Sequence, residues 1–343
     1  MKKVILLILS VLLIVAFAVP VMADVSFSGR ILDSFITGFA PKEGKADYNY
    51  YYSYIGLTAE VDEYNTVYAE FWGSPDKATL GVKAFPGGMF GLSALYLDTD
   101  VGAYFGLPVG VVGRLGNFWV SAGRKYEATV HAVERAGYTD AQINGVNATV
   151  DFGIGNVAVG TSIGENWGAA AGQTLPAQQL ILNLPELGPV DFQAYMYGKG
   201  QEDFKPQLGA NVKVSIDPVN AAAGFYFDMA SEVYGFGVGA TAGFGMFSVG
   251  AGLNGMKDDM INYVNLEASA EVIENVGVEV GVGLGLGSAY NDKTFDGAEI
   301  SAYVKPGAST WRIGYIITEN SYAHTSVVSQ PDGGLFIQGD VTF

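Results

Sequence analysis

Apolar and polar residues alternate almost one for one along most of this chain. From 25 to 31, Val25, Phe27 and Ile31 are interleaved with Ser26, Ser28 and Arg30. From 53 to 61, Ile55, Leu57, Ala59 and Val61 alternate with Tyr54, Gly56, Thr58 and Glu60. After a polar break at 62 to 65 the pattern resumes, with Val67, Ala69 and Phe71 set against Tyr68, Glu70 and Trp72. Successive side chains of an extended strand point to opposite faces, so a period of two predicts a hairpin with one apolar and one polar face.

The same device repeats to the last residue. Turn signals at 217 to 220 (DPVN), 245 to 246, 274 to 276 and 306 to 309 (PGAS) each separate two alternating runs. Longer polar connections fall between them at 40 to 49, 126 to 144, 165 to 177 and 320 to 333. One end of the predicted sheet is therefore trimmed and the other carries loops. Residues 74 to 116 fit two readings, a further hairpin built from ATLGVKAF and MFGLSALYL, or a long loop. The loop reading predicts about 18 strands and the hairpin reading about 20, and we adopt 18.

Composition decides what the two faces meet. The chain is 49% hydrophobic but only 15% charged, with 47 Gly, 20 Tyr and 20 Phe. A soluble β-sandwich also alternates, but its wet face normally carries about a quarter to a third charged residues. Here that face is largely Gly, Ser, Thr, Asn and Tyr, which suits a barrel with lipid outside and water inside. Short turns at one end and long loops at the other are the pattern of transmembrane β-barrels. The predicted fold is all-β, an antiparallel up-and-down transmembrane barrel formed by 24 to 343.

Lys2 and Lys3 precede the apolar run from Val4 to Val19, and small or apolar residues lead to Ala23. This predicts a secretory signal peptide over 1 to 23, a run somewhat short for a spanning helix of about 20 residues. Net charge is −17, which argues against nucleic acid as a partner. Zero cysteines exclude disulfides and thiolate metal sites.

The chain ends LFIQGDVTF, with Leu335, Ile337, Gly339 and Val341 stepping at alternate positions to Phe343. In this the sequence resembles bacterial outer-membrane porins, whose final strand ends in Phe as a signal to the barrel-assembly machinery. The resemblance implies Phe343 and Val341 as that signal and the outer membrane of a diderm bacterium as the location. It further implies a homotrimer in outer-membrane lipid, small solutes and ions as cargo, and about 16 strands as a further alternative to 18. General diffusion porins also carry a Gly-x-apolar strand ending in Gly-Arg, followed by a loop that folds into the barrel. Gly116, Phe118, Gly123 and Arg124 match that pattern, with 126 to 144 as the loop. The match implies Glu127, Glu134, Arg135 and Asp140 at the constriction, with Arg124 beside it. Strict alternation from Phe118, Val120 and Ala122 puts Arg124 on the lipid face, unless Gly123 permits a bulge that turns it inward.

Parity places the remaining wall charges. Arg30, Arg114, Lys213, Lys305 and Arg312 are expected inside, as are Glu60, Glu70, Asp191, Glu267, Glu271, Glu279, Glu299 and Asp340. A lysine or arginine on the lipid face near the midplane costs about 2–4 kcal/mol, so the inward choice is favoured. The excess of carboxylates predicts mild cation selectivity. Two classes of function fit such a barrel. One is a passive channel, with a sugar-specific channel as a variant; the other is an outer-membrane enzyme of lipase or protease type. His131 and His324 are the two histidines, both in predicted loops, so a histidine triad or multi-His metal site has little to draw on. No cofactor or metal is expected, and the passive channel is the reading adopted.

Overall fold

A computed structural model describes residues 24–38, 47–73, 91–122, 129, 139–162, 178–198, 205–288, 295–318 and 334–343. The strands in chain order are β1 (Val25–Gly38), β2 (Asp47–Glu60), β3 (Asn65–Gly73), β4 (Gly91–Asp100), β5 (Gly110–Ala122), β6 (Thr139–Asp151), β7 (Asn156–Ser162), β8 (Gln178–Leu187) and β9 (Val190–Gly198). They continue with β10 (Gln207–Ile216), β11 (Val219–Asp228), β12 (Val233–Phe244), β13 (Phe247–Met256), β14 (Asp259–Ile273), β15 (Val276–Gly285), β16 (Phe295–Val304), β17 (Ser309–Thr318) and β18 (Gly334–Thr342).

Each strand pairs antiparallel with its neighbours in sequence, and β18 pairs back onto β1, so an 18-stranded sheet closes on itself. Closure leaves no edge strand, which is the condition for a sheet to sit in lipid with every backbone group satisfied. No helix among the described residues is long and apolar enough to cross a membrane. The predicted hairpin across 62 to 65 is present, with Ile55 facing Phe71 and Leu57 facing Ala69 across β2 and β3. In its turn Asp62 accepts hydrogen bonds from the Asn65 side chain and from the Tyr64 and Asn65 backbone N–H groups. These contacts, the Asn65 side chain first, hold its carboxyl below the usual range.

The two ends of the barrel differ as expected, with exceptions. At the end that carries Phe343, tight connections join β8 to β9, β10 to β11, β12 to β13 and β14 to β15. The link from β4 to β5 there is longer and contains the one-turn helix α1 (Val101–Phe105), capped by the Asp100 carboxylate at its start and by Gly106 in the left-handed conformation at its end. At the opposite end β11 and β12 are joined over 229 to 232, and β13 and β14 over 257 to 258, so the loop end is low in this sector. Of the doubtful stretch 74 to 116, residues 91–100 and 110–116 are wall strand, and 74–90 lie outside the described residues. The loop expected to run to 144 gives way to strand earlier, at Thr139.

Candidate functional site

Large apolar side chains stand exposed on the outer face at alternate positions, among them Phe27, Leu115, Val159, Phe225, Leu266 and Ile300. The opposite face is the inner wall, and it carries the paired charges. Arg30 donates from Nε and Nη2 to the two carboxylate oxygens of Asp340, at 2.9 and 2.7 Å. Arg114 holds Asp98 in the same two-pronged way at 2.7 and 2.8 Å. The two sit directly opposite across β4 and β5, where side chains on one face come closest. Arg312 lies 3.5 Å from Glu279, an ion pair without a hydrogen bond. Lys213 is the cross-strand partner of Asp191 between β10 and β9. The Lys305 ammonium lies 4.5 Å above the Tyr303 ring.

Aromatic side chains organise one sector of this wall. Tyr68 stacks on Tyr96 with centroids 5.0 Å apart, and Tyr96 meets Phe118 edge-on at 6.2 Å. The Arg114 guanidinium lies 4.0 Å from the Tyr96 centroid, a cation on a π face. Glu70 gathers donors from Tyr68, Trp72 and Ser93, while Trp72 stacks on Trp119 at 5.7 Å. Further round, Phe118, Val120, Ile143, Ile181 and Tyr195 form a buried apolar plate on β5, β6, β8 and β9. Below it an amide chain runs from Gln193 to Asn183 to Asn156, at 2.7 and 2.9 Å. The facing sector, β14 to β16, carries Glu267, Glu279 and Glu299. Asp296 joins them: the register skips it between Gly283/Gly297 and Leu284/Phe295, and its side chain is buried, 1% exposed.

An inner wall of ion pairs, amides and carboxylates inside an apolar outer face has solved counterparts. An engineered protein from work on asymmetric conductivity superposes with a TM-score of 0.55 at 15% identity, covering 93% of this chain and 100% of that one. A mutant of the Rh. blastica porin gives 0.53 at 14%, with the same coverage. The fold is that of an outer-membrane porin. OmpT of Vibrio cholerae, an outer-membrane protein in trimer form, gives 0.50 at 11%, covering 94% of this chain and 99% of that one. No protein-family profile and no curated protein sequence matches the chain.

Within this porin-like barrel the structure brings together most of the wall residues that parity selected. Arg30, Glu70, Arg114 and Arg312 all have partners on the inner face. Asp140 lies in β6 opposite Ser121 rather than in a loop. Arg124, Glu127, Glu134, Arg135, His131 and His324 lie outside the described residues. The outward assignment of Phe118 and Val120 is corrected: both belong to the inner plate, and Phe118 is 1% exposed. The alternation that set Arg124 toward lipid was counted from Phe118, Val120 and Ala122, and the first two of these face inward.

Asp98, Tyr96 and Asp296 were not singled out from the sequence. The first two fall in the doubtful stretch, although their alternation with Leu95 and Leu97 was available as a signal. Asp296 stands at a break in alternation that parity alone misassigns. Gly281, Gly283 and Gly285 of β15 lie on the inner face with Glu279, but other glycines of that wall are not bare. The Tyr195 ring covers Gly209, and Tyr303 covers Gly277, so that any Cβ there would collide with the tyrosine. Among the described residues, no group of three or more His, Asp or Glu side chains is placed to hold a metal ion. What this wall can do is solvate ions and polar solutes.

Proposed function

We propose that the protein is an outer-membrane porin, a water-filled channel through which small hydrophilic solutes and ions diffuse passively, with a mild preference for cations. The observation that carries this reading is the chemistry of the inner wall. Among the described residues of that wall, Arg30, Arg114, Lys213, Lys305 and Arg312 are outnumbered by Glu70, Asp98, Asp191, Glu267, Glu271, Glu279, Asp296, Glu299 and Asp340. Each of the three arginines is already matched to one carboxylate, so the remaining acids set the sign of the field. Carboxylates lining a pore favour cations, and a low-dielectric wall concentrates their field on passing ions.

The segment after β5 narrows the channel in this proposal. Two observations support an inward course. The plate formed by Phe118, Ile143 and Ile181 is buried although it belongs to the inner wall, and Thr129, the one described residue between 122 and 139, is itself 4% exposed. Glu127, Glu134 and Arg135 would then meet the solute path, with Arg124 and Asp140 at its margin. The barrel would assemble as a homotrimer through the sector where the lipid face is small. Ala221, Ala240 and Ala251 stand side by side there, next to Ala242 and Ala268, and the loop end above them is low. Such surfaces allow close approach between membrane segments. Residues 1 to 23 would direct export and be removed, and the machinery that assembles barrels would read Val341 and Phe343.

Reversal potentials in a salt gradient test the preference. A cation-selective pore whose selectivity fades as salt rises is expected, since screening acts over about 8 Å at physiological ionic strength. Anion selectivity at low salt would contradict the inward assignment of the carboxylates.

A further inference from the structure

The pairing of β1 with β18 differs from every other pairing in the barrel, because no turn joins the two strands. In a hairpin the turn fixes the register; at this seam something else must. A slip by one residue would exchange inner and outer faces and is opposed by the whole hydrophobic pattern. A slip by two keeps every side chain on its proper face, so alternation does not oppose it. Stagger and barrel width are geometrically linked, and a two-residue slip would therefore change the width of the pore.

Two contacts, one on each face, single out the observed register. On the outer face Gly29 lies between Phe27 and Ile31, and the Phe343 ring covers it. A Cβ at Gly29 would stand 2.5 Å from the ring Cζ and 2.9 Å from Cε2, and 2.7 Å from the backbone oxygen of Tyr54 on β2. Gly29 and Phe343 also exchange both backbone hydrogen bonds, at 2.8 and 3.0 Å. Val25, Phe27 and Ile31, the other outward residues in this part of β1, all carry large side chains that would meet the ring. On the inner face Arg30 grips Asp340 with two hydrogen bonds. A slip by two residues would displace Asp340 by roughly 6.8 Å along the strand and break that grip.

We propose that Gly29 is the receiving notch for the Phe343 ring, and that this notch together with the Arg30–Asp340 pair fixes the closing register and so the pore width. The terminal aromatic ring thus has a structural task in the finished barrel, separate from any reading of the chain end by other proteins.

The chain has no cysteine, so one introduced pair reports the register. Ile31→Cys and Val341→Cys stand opposite each other in the observed pairing. The full mature chain is refolded from urea into detergent, and the disulfide formed is measured per folded barrel. The parent protein should cross-link nearly completely. Adding Gly29→Val should lower the cross-linked fraction severalfold, or the folded fraction where slipped barrels do not survive, because overpacking of this size is disruptive. Phe343→Gly alone, which leaves Gly29 unchanged, should also lower the cross-linked fraction, because the notch then has no ring to seat. Asp340→Asn alone should produce a smaller loss of the same kind. Unchanged cross-linking and folding in Gly29→Val would overturn the proposal. So would unchanged cross-linking in Phe343→Gly, since the ring would then play no part in the register.

Discussion

Asp98 binds the Arg114 guanidinium through two nitrogens while the Tyr96 ring lies against it. The pair is about a quarter to a third exposed, so it is neither a surface ion pair of small worth nor a fully desolvated one. Replacing Asp98 with Ala strands the cation against two aromatic rings and should lower stability by about 1–2 kcal/mol, read from urea unfolding of the detergent-solubilised protein. Gly209→Val should also destabilise, by about 1–3 kcal/mol, because the Tyr195 ring occupies the space a side chain needs. Parity found Arg114 from the sequence but not its partner. The residues around Asp98 lacked a clear turn on one side, so the strand that presents it could not be told from a loop.

At the scale of the element, β12 shows the inside-out arrangement most cleanly. Val238 is exposed outward, and Gly239 next to it faces Ala222 and Gly252 on the inner wall. Val238→Arg should cost about 2–4 kcal/mol and reduce the yield of folded barrel. Gly239→Arg should fold with near-parent yield and move the reversal potential toward anions. Equal damage from both would show that the two faces are not lipid and water. This alternation was legible because β12 keeps a polar or bare inner face from Gly235 to Gly243. It failed at β5, where Phe118 and Val120 are apolar and yet belong to the inner plate. A rule that equates apolar with outward must fail wherever the inner wall carries an apolar plate, and Ile143 and Ile181 complete that plate from strands distant in sequence. Local pattern cannot report such a contact. It also cannot report a bulge such as the one at Asp296, which changes face without changing composition.

For the whole molecule, closure and the sorting of charge to one face followed from periodicity, turn placement and the C-terminal strand. The number 18 agrees, although it rested on reading 74 to 116 as loop, where 91–100 and 110–116 are strand. Pore width did not follow, because it depends on stagger at a seam no turn controls. The proposed function requires that the closed barrel be an open aqueous path. Purified mature protein inserted into a planar bilayer tests it most directly. Stable, stepwise conductance that grows in proportion to bulk electrolyte conductivity is expected. Folded, inserted barrels that leave the bilayer non-conducting would contradict it.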